Sequence, residues 1–204
     1  AYIAHGWCLM TFLLALLLVA ALPAIQTADV LIQAGHQGRP ASCVLFPKRP
    51  CNLGAAGERE HTPVVADEAA RRLRAAGLRV VRVPADYRRH YRVRAAVFIH
   101  LDGARPACSS GASIGYPRGS ADAARAWRAT YSQIFPFRFM PDNFTAGLAH
   151  YYGYRTVDRN PNTLVLELGE LTCPAQNAWL KPRYRRLGDF IAKFVLSRLT
   201  NGRS

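Results

Sequence analysis

The chain of 204 residues is poor in acidic side chains, with 13 Asp and Glu against 27 Lys and Arg and a formal net charge of +14. It has no internal repeat and no collagen-like, glutamine-rich or proline-rich tract, which excludes a repeat or fibrous architecture. Half of its residues are hydrophobic and 10% are aromatic, which excludes a disordered chain. The charge predicts an anionic partner, which by charge alone could be nucleic acid, a membrane surface or an anionic polymer.

The first 28 residues contain no Lys, Arg, Asp or Glu, so the basic segment that usually opens a secretory signal is missing. The apolar run 11–22 nevertheless has the length of a signal-peptide core and is shorter than the ~20 residues of a membrane-spanning helix. Small residues follow it at Ala24 and Ala28. We therefore predict that residues 1–28 are a signal peptide or, alternatively, an N-terminal membrane anchor. Residues 29–204 would then form a folded domain outside the cytoplasm.

No CxxC pair occurs, which argues against a zinc site built from thiolates. Cys8 falls in the predicted leader, and the other four cysteines form an even set that suits an oxidising compartment. Cys43 and Cys51 are close enough in sequence to close one loop. Cys108 and Cys173 would then join two distant loops, so we expect two disulfides.

Short apolar runs alternate with amphipathic helices along the chain. Buried strands are predicted at 29–34, 95–99 and 164–166, and a more exposed strand at 78–83. Helices are predicted at 64–76, with Thr62 as the N-cap, and at 121–134 and 182–199. Segments 35–57 and 101–120 are predicted as loops. This alternation indicates a single α/β domain, with a mostly parallel mixed sheet flanked by helices on both faces.

Three of the predicted strands end at polar residues, namely His36, His100 and Glu167. In open α/β sheets, ligands bind beyond the carboxyl ends of the strands, so these side chains have a common place to meet. Two histidines and one acid can hold a catalytic zinc ion with one position left for water. Glu58, Glu60 and Asp102 are candidates for the acid. A histidine at the end of a strand can also be purely structural.

Four motifs, in this order, make residues 29–199 resemble the zinc-dependent N-acetylmuramoyl-L-alanine amidases of the amidase-3 type. The first follows the first strand and the second precedes a helix, whereas the third and fourth end the two later strands. They are Ala34-Gly35-His36-Gln37-Gly38, then Glu58 with Ala66, Ala69, Leu73 and Gly77, then Phe98-Ile99-His100-Leu101-Asp102, and last Leu164-Val165-Leu166-Glu167-Leu168-Gly169-Glu170.

The resemblance implies a peptidoglycan hydrolase that cleaves the amide between N-acetylmuramic acid and L-Ala of the stem peptide. It implies that His36, Glu58 and His100 bind one Zn²⁺ per chain. Glu167 matches the catalytic glutamate that activates the zinc-bound water. Glu58 is preferred to Glu60 because its distance to the end of the following helix fits the family pattern.

The sequence departs from the family pattern at several positions. Gln37 replaces a glycine of the family pattern, and Glu170 replaces an apolar residue. Asp102 lies close to the position at which the family usually has an asparagine. Asp102 and Glu170 are candidates for contacts with the histidines or with substrate, or else are exposed loop acids. The aromatic segment 135–154 has no counterpart in the family pattern. It either packs into the core or lines a glycan- or peptide-binding groove.

Two other functions remain open on the sequence, namely a different zinc amidohydrolase or peptidase of a related fold and a non-enzymatic cationic domain that binds the cell envelope. No nucleic-acid-binding motif is present, so nucleic acid is not expected as a partner. The expected partner is peptidoglycan, with anionic envelope polymers or lipid head groups in addition. We expect an exported monomer in the periplasm or cell wall, held at the membrane by residues 11–22 if the leader is retained.

Overall fold

The computed structural model describes residues 25–45 and 49–201. The predicted leader, with its apolar run 11–22, lies outside the described residues. Within the described ranges, none of the helices has the length and apolar character needed to cross a membrane.

A five-stranded sheet forms the centre of the domain, with strand order β5-β2-β7-β9-β8. Four of its strands run parallel, and the edge strand β8 is antiparallel to β9. Two short ladders, the parallel pair β1-β6 and the antiparallel pair β3-β4, lie outside this sheet. The strands are β1 (Gln26–Thr27), β2 (Val30–Ala34), β3 (Val44–Leu45), β4 (Arg49–Pro50), β5 (Val80–Val83), β6 (Tyr91–Arg92), β7 (Ala95–Asp102), β8 (Ser113–Gly115) and β9 (Thr163–Glu170).

The described ranges also contain five α-helices and two short 3₁₀ helices, of which the last three follow the final strand. The α-helices are α1 (Glu58–Ala75), α2 (Ala121–Tyr131), α3 (Ala146–Ala149), α4 (Pro174–Leu180) and α5 (Tyr184–Asn201), and the 3₁₀ helices span Tyr152–Thr156 and Lys181–Arg183.

Helix α1 begins at Glu58, one turn before the N-terminus predicted at Thr62. Thr62 does not cap the helix. Its buried hydroxyl lies 2.7 Å from the carbonyl oxygen of Gly35, to which it donates. Pro63 therefore lies in the second helical turn, where it removes one backbone hydrogen bond without ending the helix. The earlier start matters because it makes Glu58 the first helical residue, and the Thr62 bond fixes this turn against the end of β2.

Both faces of the sheet are covered, as predicted. On one face, sheet residues such as Ile32 and Leu166 pack in a single core with α1, α2 and α5. On the other face, Phe98 packs with Leu148 of the short helix α3 and with two tyrosines of the aromatic segment, Tyr151 and Tyr154. The predicted single α/β domain with a mostly parallel mixed sheet is confirmed, with the long helices all on one side.

Strands β7 and β9 run further than predicted and carry the polar residues at their ends. The register between them shifts after His100, which pairs with Glu167, so that Asp102 pairs with Glu170. Gly169 lies within this irregular step at a φ of 145°, a backbone conformation that favours glycine. Segment 101–120, predicted as a loop, also contains strand β8, which hydrogen-bonds to β9.

Both predicted disulfides are present. Cys43 and Cys51 are joined with their Cα atoms 5.4 Å apart, and they close the loop that leads to Asn52. Cys108 and Cys173, with Cα atoms 4.5 Å apart, tie the β7–β8 connection to the start of α4. The two bridges therefore hold loops at the carboxyl edge of the sheet.

Candidate metal centre

His36, Glu58 and His100 meet at the carboxyl edge of the sheet. Their ligand atoms all lie within 4.8 Å of one another, and all three residues are buried. Glu58 Oε1 is 3.5 Å from His36 Nε2 and 3.0 Å from His100 Nδ1. His36 follows β2, His100 lies in the adjacent strand β7, and α1 returns across the sheet to bring in Glu58. Three residues distant in sequence thus form one compact donor set.

Two glycines make room for this set. A Cβ on Gly35 would overlap the His100 ring, whose Cε1 would lie 2.5 Å away. A Cβ on Gly54 would overlap the Glu58 carboxylate and approach His36 Cδ2 to 2.7 Å. His36 itself has a φ of 57°, in the left-handed region that non-glycine residues rarely adopt. Such strained backbone at a cluster of donors is typical of a functional site.

The protonation states of the donors suit a cation. Burial lowers the pKa of His36 from 6.5 to about 4, even though the charge of Glu58 opposes that shift. For Glu58, burial opposes ionisation, but the hydrogen bond and charge of His100 outweigh it and hold its pKa below the usual value. His36 is therefore neutral and Glu58 ionised at neutral pH, which are the forms that bind metal ions.

The outer nitrogen of each histidine has a hydrogen-bond partner that determines which ring nitrogen is free. His36 Nδ1 lies 2.9 Å from the backbone carbonyl of Asn52. Arg39 Nη1 also approaches Nδ1, at 3.0 Å, but it donates to the same Asn52 carbonyl at 2.5 Å. Since a carbonyl oxygen only accepts, Nδ1 donates to it as well and Nε2 keeps its lone pair. His100 Nε2 lies 3.0 Å from the Tyr151 hydroxyl, which in turn donates to Gln33 Oε1 at 2.9 Å. His100 Nε2 therefore donates to this hydroxyl, and Nδ1 is the ring nitrogen that faces Glu58.

The positions of these nitrogen and oxygen atoms show whether a cation fits between the three side chains. His100 Nδ1 lies 3.0 Å from the ionised Glu58 Oε1, a contact that a proton on Nδ1 bridges as a hydrogen bond, and the lone pair of His36 Nε2 faces the same oxygen at 3.5 Å. A cation at this place would replace that proton and would be held by all three groups. Two imidazoles and one carboxylate are a ligand set suited to zinc.

Sequence reasoning did not identify Gln33, Tyr151 or Tyr152 as parts of this site. Gln33 is fully buried within β2, and its amide nitrogen donates to the Tyr152 hydroxyl at 2.6 Å. The signals that could have pointed to them were a glutamine inside an apolar strand and the tyrosines of the aromatic segment. Arg39 was also missed; it donates to the Asn52 carbonyl at 2.5 Å and forms an ion pair with Asp86.

Glu167 lies on β9 as the register partner of His100. The residue is half-buried, and its inaccessible Oε2 atom has no hydrogen-bond partner among the described residues. Burial, followed by the negative charges of Glu58 and Asp102, raises the pKa of the Glu167 carboxyl well above its usual value. A carboxyl group whose pKa is shifted toward neutrality is suited to general acid and base chemistry.

Asp102 and Glu170 have other roles than contact with the histidines. Glu170 is fully buried and accepts the backbone N–H groups of Cys108 and Ser110, at 2.7 and 2.8 Å. Asp102 accepts the Ser110 hydroxyl and the N–H of Gly103. None of the hydrogen bonds of the described residues joins either acid to a histidine. The proposed contacts with the histidines are thus corrected: Glu170 secures the β7–β8 loop, whereas Asp102 also lines the cavities at the centre.

The structure also distinguishes Glu58 from Glu60 as the acidic member of the donor set. Glu58 is 2% exposed and lies in the donor set, whereas Glu60 is exposed on the outer side of the same helical turn. His61 stacks on Tyr184 with ring centroids 4.6 Å apart, so it supports the contact between α1 and α5.

Two adjoining cavities, of about 390 and 250 Å³, open beside the donor set. Both are lined by His36, Asn52, Asp102 and Glu167, so space for a ligand exists on two sides of the centre. The aromatic segment is divided between the two predicted roles. Tyr151 and Tyr152 line the smaller cavity, whereas Phe135 and its neighbouring phenylalanines pack with the helical core.

Comparisons with known proteins identify solved structures that share this fold. No protein-family model matches the chain, and no curated protein sequence matches it. Solved structures do match, and three are described here. The N-acetylmuramoyl-L-alanine amidase AmiC2 of Nostoc punctiforme has a TM-score of 0.58 and 17% identity, covering 86% of this chain and 97% of its own. An N-acetylmuramoyl-L-alanine amidase from Clostridium difficile 630 has a TM-score of 0.57 and 19% identity, with the same coverage.

The third structure is the CwlD amidase from Clostridioides difficile in complex with the GerS lipoprotein. It has a TM-score of 0.55 and 13% identity, and the match covers 86% of this chain and 98% of that one. The chain therefore has the fold of these amidases along almost the whole length of each of them.

Proposed function

We propose that the chain is a zinc-dependent N-acetylmuramoyl-L-alanine amidase, which hydrolyses the amide between N-acetylmuramic acid and the L-Ala of the stem peptide. The observation that carries the proposal is the buried donor set of His36, Glu58 and His100, with the unpartnered carboxyl of Glu167 beside it. The likeness to amidase structures supports the choice of substrate class.

In this proposal the metal ligands are His36 Nε2, His100 Nδ1 and a carboxylate oxygen of Glu58. A Zn²⁺ ion held there would polarise the amide carbonyl and lower the pKa of a water molecule to about 7. Asn52 and Tyr151 orient the two imidazoles through their outer nitrogens, which turns the other ring nitrogens toward Glu58. Three protein ligands would leave room for water and substrate at the metal, and the two cavities lie beside them.

Glu167 is the proposed general base and acid. Its Oε2 has no partner among the described residues and is free to take a proton from water at the centre. The same burial that raises the pKa of this carboxyl lets it keep the proton until the amide nitrogen departs. Glu167 then protonates the leaving amine, which is the N-terminus of the stem peptide.

The proposal assigns the rest of the chain as follows. Residues 29–204 form the catalytic domain, and residues 1–28 are an export signal or anchor. The protein would act as a monomer on peptidoglycan in the periplasm or cell wall, where its two disulfides suit the oxidising environment. The cavities on the two sides of Glu167 provide room for the glycan and peptide arms of the substrate.

The test is product analysis on purified peptidoglycan. The purified protein, loaded with one equivalent of Zn²⁺, is expected to release stem peptides with a free N-terminal L-Ala and to leave glycan strands with free lactyl carboxylates. Dialysis against a chelator should abolish this release, and added Zn²⁺ should restore it.

Release of a C-terminal residue from the stem would indicate the alternative zinc peptidase of related fold. Binding to the wall without any hydrolysis would indicate the non-enzymatic envelope-binding domain. Undiminished amide cleavage by metal-free protein would overturn the assignment of the donor set as a catalytic zinc centre.

A further inference from the structure

A large cavity lies away from the metal centre. It is a groove of about 740 Å³ on the helical face of the domain, between α1, α5, the end of α2 and α4. We call it the helical groove. Its lining contains six cationic side chains and two acids, which are Arg71, Arg72, Arg183, Arg185, Arg186 and Lys193 with Glu68 and Asp189.

The two acids of the helical groove do not neutralise it. Glu68 accepts Arg71 at 2.6 Å and Arg72 at 2.8 Å. Asp189 contacts Arg72 at 3.0 Å and Lys193 at 2.8 Å. Six cations against two carboxylates leave a local charge of +4, and each acid already contacts two cations.

Arg185 and Arg186 provide the accessible part of this charge. Both are exposed on the first turn of α5, and neither forms an ion pair with any residue in the described ranges. Their mutual repulsion would be relieved by an anionic ligand.

The floor of the helical groove is apolar and aromatic. Trp179 and Phe190 line it, and Ile134 is 41% exposed at its edge. The Arg183 guanidinium lies 4.8 Å above the Trp179 ring, so this arginine is held in place by a cation–π contact. The groove therefore combines fixed guanidinium groups with flat apolar surfaces below them.

We propose that the helical groove binds one strand of a phosphodiester polymer whose phosphates are separated by short polyol or sugar units. Guanidinium groups suit phosphate oxygens because they can donate two parallel hydrogen bonds. The aromatic floor suits the carbon skeleton between phosphates. A flat bilayer would touch the rim of a concave groove and not its floor, whereas a single strand reaches both.

That such a polymer belongs to the cell envelope rests on the proposed function. The helical groove lies on the helical face of the sheet, and none of its lining residues belongs to the metal centre or to the two cavities beside it. A bound polymer would therefore retain the protein at the wall without occupying the catalytic centre.

The experiment measures binding of purified poly(glycerol phosphate) to the zinc-loaded protein by titration calorimetry at 0.15 M salt. The test variant is Arg185→Glu/Arg186→Glu. The matched control is Arg118→Glu/Arg159→Glu, which changes the net charge by the same amount at exposed positions outside the groove. We expect the Kd to rise at least about tenfold in the test variant and less than about threefold in the control.

Equal weakening in both variants, or no weakening in the test variant, would overturn the proposal, because the affinity would then reflect net charge alone. Groove-dependent binding to phosphatidylglycerol vesicles or to single-stranded RNA, without binding to poly(glycerol phosphate), would also overturn it. Hydrolysis of a short soluble muropeptide by the test variant is expected to match wild type. This control separates failure of polymer binding from failure of the proposed enzymatic function.

Discussion

His100 on β7 and Glu167 on β9 are register partners in adjacent parallel strands, so their side chains lie next to each other on the same face of the sheet. The proposed metal ligand and the proposed general base are therefore fixed by backbone hydrogen bonds rather than by loops. The irregular step in the register begins directly after this pair.

Replacing Glu167 with Gln is expected to lower the rate of peptidoglycan hydrolysis by about 10²–10⁴-fold, because the amide cannot take a proton from water. Zinc content, measured by elemental analysis, should stay near one ion per chain, since Glu167 is not part of the donor set. Wild-type turnover in this variant would show that another group is the base.

The same Glu167→Gln substitution is expected to stabilise the metal-free protein at neutral pH. The folded-state pKa of Glu167 is raised, so its contribution to folding is most favourable below the unfolded value of about 4.5 and is lost as the pH rises. Glutamine does not ionise. The difference in unfolding free energy between variant and wild type should therefore grow from pH 4.5 to pH 8, as measured by urea unfolding. A difference that shrinks with rising pH would contradict the burial argument.

Glu58→Gln and Glu60→Gln are a matched pair on one helical turn, with the same change of charge. We expect Glu58→Gln to weaken zinc binding by 10-fold or more, because it removes the anionic member of the donor set. Glu60 is exposed, and its variant should bind zinc as wild type does. Competition with a chromophoric chelator measures both dissociation constants. Weaker binding in Glu60→Gln alone would reassign the ligand.

Tyr151→Phe is expected to weaken zinc binding by about 10–100-fold, because it removes the acceptor that orients His100 through Nε2. Tyr154→Phe is the control. Tyr154 packs against Phe98 in the same cluster, but its hydroxyl donates to the Leu148 carbonyl. A change in the visible spectrum of the Co²⁺-substituted protein should accompany Tyr151→Phe alone. Equal effects in both variants would indicate lost packing instead of a lost histidine partner.

Gly35→Ala is expected to abolish high-affinity zinc binding, because the added methyl group overlaps the His100 ring. Gly77→Ala provides a control at the end of α1, where the Cβ meets no atom within 4 Å but the φ of 83° disfavours alanine. That control should lose about 1–2 kcal/mol of unfolding free energy and keep its zinc affinity. If Gly35→Ala binds zinc normally, the His100 ring is not confined as described.

Sequence reasoning predicted the fold class and the strands that carry the site, because buried parallel strands are continuous apolar runs. It also singled out His36 and His100, since each follows or ends such a run, whereas Glu58 was preferred to Glu60 only through the family resemblance. It placed the start of α1 after Glu58, because Thr62 and Pro63 match a helix N-terminus in local chemistry. In the fold, the Thr62 hydroxyl instead bonds the carbonyl at the end of β2.

The contacts that hold the histidines could not be predicted from the sequence. Gln33 and Tyr151 are 118 residues apart, and their hydrogen bond exists only because the aromatic segment crosses the face of the sheet. The role of Glu170 could not be predicted from the sequence for the same reason. Its position after Glu167 suggested a role at the site. The register shift around Gly169 instead places its carboxylate under the β7–β8 loop.

The sequence by itself determined the apolar periodicity, the even set of cysteines, the excess of positive charge and the residue types able to bind a metal ion. These are local or compositional properties, which need no knowledge of distant neighbours. Tertiary structure alone decided which carboxylate joins the histidines, which ring nitrogen each histidine presents, and that six cations gather in one groove. Each of these depends on contacts between residues far apart in the chain, because only packing fixes distance, burial and the pKa values that follow from them.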